Sequence, residues 1–249
     1  MQRSRSGLEV MAARVISAPS GSVTFPGEIG DCWISSDPSK ALFVEGGAGL
    51  GRSHAAGPLA PLGFWGASAK VVVRPHARVE TRLDLQFERS RWRARYVGDG
   101  SSGERVFGDL YAPSASLTLR QQVVLTPRLT LQGYAQLFAS YGTYGRFYVA
   151  RAGRGERVPF AALRTPATSP REDPEIGNPD FREGALNVNL VARWEYRTGS
   201  TLFLVYTRAQ AERGWEDEVS PPATLRPHGL SSGPVTDTIL VKWTHFWNG

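Results

Sequence analysis

The 249-residue chain has little of what most fold classes depend on. Its single cysteine, Cys32, excludes an intrachain disulfide framework and a zinc site built from several cysteines. No apolar run approaches the roughly 20 residues of a membrane-spanning helix, and no segment shows a helical period of 3.6 residues. Glycine (27 residues) and proline (17 residues) punctuate the chain throughout, so we expect an all-β protein.

Lysine is also scarce, because only Lys40, Lys70 and Lys242 accompany the arginines that give a net charge of +6. Nucleic-acid-binding proteins collect such charge on one face or in a tail. Here the arginines stand singly among apolar residues and beside Asp or Glu. We therefore expect no nucleic-acid partner.

Strict alternation of apolar and polar residues predicts the strands. The clearest run covers 78–88, and 186–196 repeats its pattern. The segments 117–125 and 129–137 form a predicted hairpin around residues 126–128. Further strands are predicted at 69–73, 201–210 and 238–247, with weaker candidates at 8–17, 31–36 and 41–45. About ten antiparallel strands result, in a single domain over 1–249 whose first 60 residues carry the weakest pattern.

The predicted connections alternate between long and short. Long links fall at 46–64, 98–114, 150–185 and 211–234, and tight turns fall at 37–40, 74–77, 126–128 and 197–200. Outer-membrane barrels have this asymmetry, with short turns on one side and long loops on the other. The pattern favours an antiparallel transmembrane β-barrel, complete or as part of a larger one. The alternative is a soluble β-sandwich ligand-binding module, in which the charged faces of the strands would meet water.

In a barrel, the apolar side chains of each strand would face lipid and the polar ones would face the lumen. The candidate lumen residues are Arg82, Asp84, Arg120, Gln132, Gln136, Asn187, Asn189, Arg193, Glu195 and Lys242. Their mixed signs predict pairs that neutralise one another in a plugged lumen, rather than a ring that selects one ion. The candidate membrane-interface aromatics are Trp65, Tyr96, Trp194, Tyr196, Trp243 and Trp247.

Four segments carry a family resemblance. They are 178–181 (NPDF), 193–206 (RWEYRTGSTLFLVY) and the hairpin 125–136 (LTPRLTLQGYAQ), with 240–243 (LVKW) near the end. Together they resemble the C-terminal domain of Gram-negative surface proteins in which a domain like carbohydrate-binding module family 9 precedes an outer-membrane β-barrel of unknown function. Asn178, Arg182 and Thr198 depart from the pattern of that family, which has Asp, Asn and Pro there.

The resemblance implies a non-enzymatic domain in the cell outer membrane. The implied roles are anchoring and the handling of surface glycans or nutrients. Outer-membrane lipid and the barrel-assembly machinery would be its partners, with glycan bound through an N-terminal domain that this sequence lacks. The sequence also shows no secretory signal, since Glu9 and Arg14 interrupt the apolar residues near the start. We therefore expect a fragment of a longer protein or a gene start that lies upstream.

No group of residues predicts catalysis, a metal site or a cofactor. The four histidines are scattered, and Cys32 has no recognisable base as a partner. The oxygen-rich stretch of Asp173, Glu175, Asn178 and Asp180 lacks the spacing of a calcium-binding loop and is interpreted as solvated. The glycine-rich run 46–52 lacks the following Lys-Ser/Thr of a phosphate-binding loop.

Overall fold

The computed structural model describes residues 9–13, 27–53, 61–151, 158–212, 223–227 and 229–247. Ten strands form one antiparallel sheet in which every strand pairs with its neighbours in chain order. The strands are β1 (Glu9–Ala13), β2 (Gly27–Ser35), β3 (Leu42–Ser53), β4 (Pro61–His76), β5 (Val79–Asp99), β6 (Arg105–Thr126), β7 (Leu129–Ala150), β8 (Phe181–Arg197), β9 (Ser200–Ala211) and β10 (Val235–Thr244).

The all-β, antiparallel prediction is confirmed. Helical structure in the described residues is limited to three short 3₁₀ turns, at Phe160–Ala162, Pro170–Glu172 and Leu230–Ser232. The sheet is open, since β1 and β10 form its two edges and no described residues pair them with each other. The architecture is therefore a single open sheet in strand order, and the structure does not confirm closure into a barrel.

Several predicted boundaries were wrong. The segments 46–64 and 98–114 were interpreted as long loops, yet most of their residues lie in strands β3 to β6, and only residues 100–104 separate β5 from β6. The last strand ends at Thr244, so the aromatic residues after it lie outside the sheet. Strands β5 to β7 have 21 to 22 residues each and extend well beyond the alternating segments that predicted them.

The structure has short turns at one end of the strands and long connections at the other, as the sequence predicts for the links after β4 and after β6 to β9. Turns of two residues join β4 to β5, β6 to β7 and β8 to β9, whereas the links after β7 and β9 are long. At the turn between β8 and β9, Gly199 has a φ of +77°, a conformation that a residue with a Cβ rarely adopts. We call the end of the strands at which the two-residue turns lie the turn end, and the opposite end of the strands the loop end.

The register assigns each side chain to one of two faces. One row across the five strands β3 to β7 contains Val44, Val71, Leu83, Leu119 and Ala135. It continues through Val188 of β8 and ends on the charged residues Arg208 of β9 and Asp237 of β10. Since successive residues of a strand point to opposite faces, this row defines an apolar face. The adjoining row, with Glu45, Lys70, Asp84, Thr118 and Gln136, defines a polar face.

The small buried core lies at the loop end. Ala94, Phe107 and Ala150 are buried there, and the segment after β7 packs on them through Phe160. The register between β5 and β6 shifts next to Ala94, whose φ is +49°. The irregular strand ends are thus held by packing against the long connection that follows β7.

Candidate functional site

The polar face collects all ten candidate lumen residues. In the register, Arg82 pairs with Arg120, and Gln136 pairs with Asn187. Arg193 and Lys242 lie in one row because both pair with Phe203 of the strand between them. The remaining members follow at alternate positions of the same strands: Asp84, Gln132, Asn189 and Glu195. The alternation in the sequence therefore identified one continuous polar surface.

Ion pairs neutralise much of the charge on this face. Lys70 Nζ lies 2.6 Å from Glu45 Oε1 across the β3–β4 pair. Arg82 donates from Nε and Nη2 to both carboxylate oxygens of Asp84, two residues along the same strand. The predicted pairing of opposite charges is therefore present, and it acts within a strand as well as between strands.

A hollow of about 350 Å³ lies on the polar face where β5 to β8 meet. The guanidinium carbon of Arg120 lies 5.4 Å from the ring centroid of Tyr134, a cation–π contact. Tyr134 donates a hydrogen bond of 3.0 Å to Gln136. Gln122, Gln132 and Asn189 also line the hollow, together with Glu80 and Arg82, so this surface offers amides and charged groups of both signs to a polar solute.

A larger hollow of about 720 Å³ lies on the polar face toward the loop end, and the sequence analysis missed it. Trp33, Phe64, Trp92 and Phe138 line it together with Gln86, Glu88 and four serines. A Cβ at Gly51 would collide with the ring of Phe64, so the glycine is needed for this aromatic side chain to lie flat on β3. The glycine-rich run 46–52 is the sequence signal for this hollow, although its composition predicts a loop and the structure has it in β3.

The apolar face presents a band of exposed aliphatic side chains between the two ends of the sheet. The band covers about nine to eleven residues on each of β5 to β8, the number that a strand needs to cross a bilayer. Two polar residues in the band face each other, since Gln121 lies in the row of Thr81, whose hydroxyl donates a hydrogen bond of 2.7 Å to it. The amide of Gln121 in turn donates to the backbone oxygen of Glu80, so its polar atoms are satisfied within the sheet.

Four of the candidate interface aromatics form one cluster at the turn end. Trp194 and Trp243 lie on the apolar face in the row that also holds Leu202. The indole Nε1 of Trp243 donates a hydrogen bond of 2.7 Å to Tyr196 Oη. Tyr196 stacks on His245, whose ring in turn contacts Trp247 edge-on at 4.5 Å. Aromatic rings with one polar tip, gathered at one edge of an apolar band, suit a membrane–water boundary.

The other two candidates lie at the loop end but apart from each other. Trp65 is on the apolar face and packs against Phe87 with ring centroids 4.9 Å apart. Tyr96 lies past the irregular part of β5, in contact with Phe107 of the buried core. Trp65 thus lies where the apolar band ends toward the loop end, whereas Tyr96 lies in the part of the sheet beyond the band.

The oxygen-rich stretch at 173–180 is occupied by hydrogen bonds from the protein. Asp180 accepts from Arg171 Nη2 at 2.9 Å and from the backbone N–H of Tyr144 at 2.7 Å. Asp173 accepts from the backbone N–H groups of Glu175 and Ser101 and from the Ser101 hydroxyl. These donors, the Glu175 N–H first, lower the pKa of Asp173 below its ordinary value. The stretch fastens the long connection to β7 and to the β5–β6 turn.

The described residues contain no group of three or more His, Cys, Asp or Glu side chains placed to hold a metal ion. Cys32 is exposed, in the row of Ala48 on the apolar face. Two of the histidines, His54 and His228, fall outside the described residues. Among the described residues no helix has the length and apolar character to span a bilayer.

Comparison with known protein families, with curated proteins and with solved structures finds no match to this chain.

Proposed function

We propose that the chain is a non-enzymatic outer-membrane β-barrel domain that serves as a surface anchor or in the handling of glycans or nutrients. One observation carries the barrel assignment: a band of exposed apolar side chains on one face of the sheet, backed by a polar face and bordered by aromatics. Such a band needs an apolar environment, since exposed patches of this extent are uncommon on soluble monomers. The resemblance of 193–206 to an outer-membrane barrel family gives the same assignment. In this proposal β1 and β10 pair with each other or with further strands, because a bilayer tolerates no open sheet edge.

The alternative is a soluble β-sandwich module with a ligand-binding face. One observation favours it: Leu225 and Pro227, from the connection before β10, border a cavity on the apolar face together with Leu85, Leu117 and Leu137. A protein segment on that face is what a soluble protein would use to cover it. All ten strands lie in one sheet, however, and no second described sheet packs on the band.

Extraction and electrophoresis separate the two proposals. The barrel should need detergent or vesicles to remain in solution, and the folded form should migrate differently from the boiled form. A soluble module should remain in the aqueous phase and show a single mobility. Retention in buffer without detergent, as a folded monomer, would overturn the barrel proposal.

A further inference from the structure

Two arginines lie next to each other on the apolar face at the loop end. Arg89 and Arg91 are two residues apart on β5 and therefore point to the same side of the sheet. Their guanidinium carbons lie 5.0 and 5.8 Å from the ring centroid of Tyr111. Two positive charges thus share one aromatic ring at the border of the apolar band.

The neighbours of this pair supply no negative charge. Arg89 lies in the row of Trp65 and Pro113, and Arg91 lies in the row of Gly63 and Tyr111. Arg82 on the polar face contrasts with them, since it binds the carboxylate of Asp84 through two nitrogens. Within the described part of the chain, Arg89 and Arg91 form no ion pair with a carboxylate. Like charges held together in this way favour the binding of an anion.

The two side chains border a groove of about 490 Å³. We call it the arginine groove; its lining residues are Leu50, Gly51, Arg52, Gly63, Phe64, Trp65, Arg89 and Arg91. The third arginine, Arg52, lies in the row of Arg91 two strands away, whereas Arg89 and Arg91 share one ring and are the charges that we test. Leu50 and Trp65 add an apolar floor that is continuous with the band below.

We propose that the arginine groove binds the phosphate group of a lipid headgroup. Guanidinium groups match phosphate oxygens in geometry and charge. An apolar floor beside them fits the start of an acyl chain better than it fits a free ion. The inference rests on the proposed function, because the groove lies at headgroup depth only if the apolar band contacts lipid.

The test measures lipid retention by the full chain folded in neutral detergent micelles. Native mass spectrometry counts bound phosphatidic acid, phosphatidylcholine or inorganic phosphate in separate titrations. The variant R89Q/R91Q removes the groove charges. Its control, R128Q/R197Q, removes the same charge from two exposed arginines beside the turns at the opposite end. We expect the wild-type chain to prefer phosphatidic acid, and R89Q/R91Q to bind it at least tenfold more weakly while the control changes less than threefold.

Equal losses in the two variants, or no preference of the wild type for phosphatidic acid over phosphatidylcholine, would overturn the inference. If inorganic phosphate binds as tightly as phosphatidic acid, the groove does not require a lipid, and the proposal of a lipid headgroup is refuted. If R89Q/R91Q does not fold, R89K/R91K keeps the charge but loses the paired nitrogens, and an intermediate loss is expected. A chain that needs no detergent refutes the proposed function itself, whereas a folded micellar barrel without the preference refutes only the arginine groove.

Discussion

Replacing one apolar side chain by arginine at two depths tests which environment the apolar face meets. Leu119 and Leu125 lie six residues apart on β6 and have nearly the same exposed fractions, 42% and 45%. Leu119 is in the middle of the band, whereas Leu125 is next to the two-residue turn. Six residues at about 3.4 Å each, on a strand tilted by about 40°, separate them by about 15 Å of depth.

If the band contacts lipid, the cost of arginine depends on that depth. We expect Leu119→Arg to lower the free energy of unfolding by about 2–4 kcal/mol and Leu125→Arg by about 0–1 kcal/mol. The matched control is Gln122→Arg, which places the same side chain on the polar face, in the row of Gln132. That change should cost less than about 1 kcal/mol, because it buries no charge in hydrocarbon.

The measurement is guanidinium unfolding of each variant in phosphatidylcholine vesicles, followed by the fluorescence of the seven tryptophans. In water, two leucines of equal exposure should respond alike to the substitution. Equal losses for Leu119→Arg and Leu125→Arg would therefore refute a lipid-facing band. A loss for Gln122→Arg as large as that for Leu119→Arg would refute the assignment of the two faces.

Three further predictions concern ionic contacts. Glu195→Ala should change the free energy of unfolding by less than about 1 kcal/mol in the same unfolding assay, since its ion pair with the arginine two residues earlier spans 3.9 Å and is partly exposed. Arg182→Met should cost about 3–5 kcal/mol, because it strands the carboxylate of Glu212 in a pair whose side chains are only 1% and 3% exposed; adding Glu212→Leu should recover most of that loss. Ser101→Ala should raise the lowered pKa of Asp173, measured by NMR titration, because one of its donors is lost. Because its pKa is lowered in the folded state, the Asp173 carboxylate stabilises the fold at pH values above its ordinary pKa of about 3.9, and this contribution is lost as the pH falls through the lowered pKa. An unchanged Asp173 pKa in the Ser101→Ala variant would contradict the hydrogen-bond geometry.

The sequence was sufficient to assign the faces of the central strands because alternation is a local property. The polarity of residues 78–88 alone places Arg82 and Asp84 opposite Leu83, and the register agrees. Alternation failed where a strand has no side chains to alternate, as in the glycine-rich part of β3, or where its register shifts, as next to Ala94. Strand pairing there depends on the neighbouring strand, which a single segment does not encode.

The contacts of the long connections were also beyond a local pattern. Arg182 meets Glu212 across 30 residues, and Arg171 reaches both Asp180 and the backbone of Tyr144. Each of these residues had an ordinary polar context in the sequence. Which residues they contact depends on the order in which the strands pair. The sequence therefore shows where the charged residues are, but it does not show which of them form ion pairs.

The two faces use arginine in different ways, and this difference bears on what the proposed barrel does. On the polar face Arg82 pairs with Asp84, and Lys70 with Glu45, so part of the charge that would face the interior of the proposed barrel is neutralised. The plugged lumen stays a prediction, and from a surface of mixed charge we expect no selection of ions by sign. The aromatic hollow beside Glu88 is instead shaped for a solute with an apolar side and hydroxyl or amide groups. On the apolar face Arg89 and Arg91 share the ring of Tyr111 and have no carboxylate partner among the described residues, so in the proposed barrel we expect an anion to be recognised at the membrane surface.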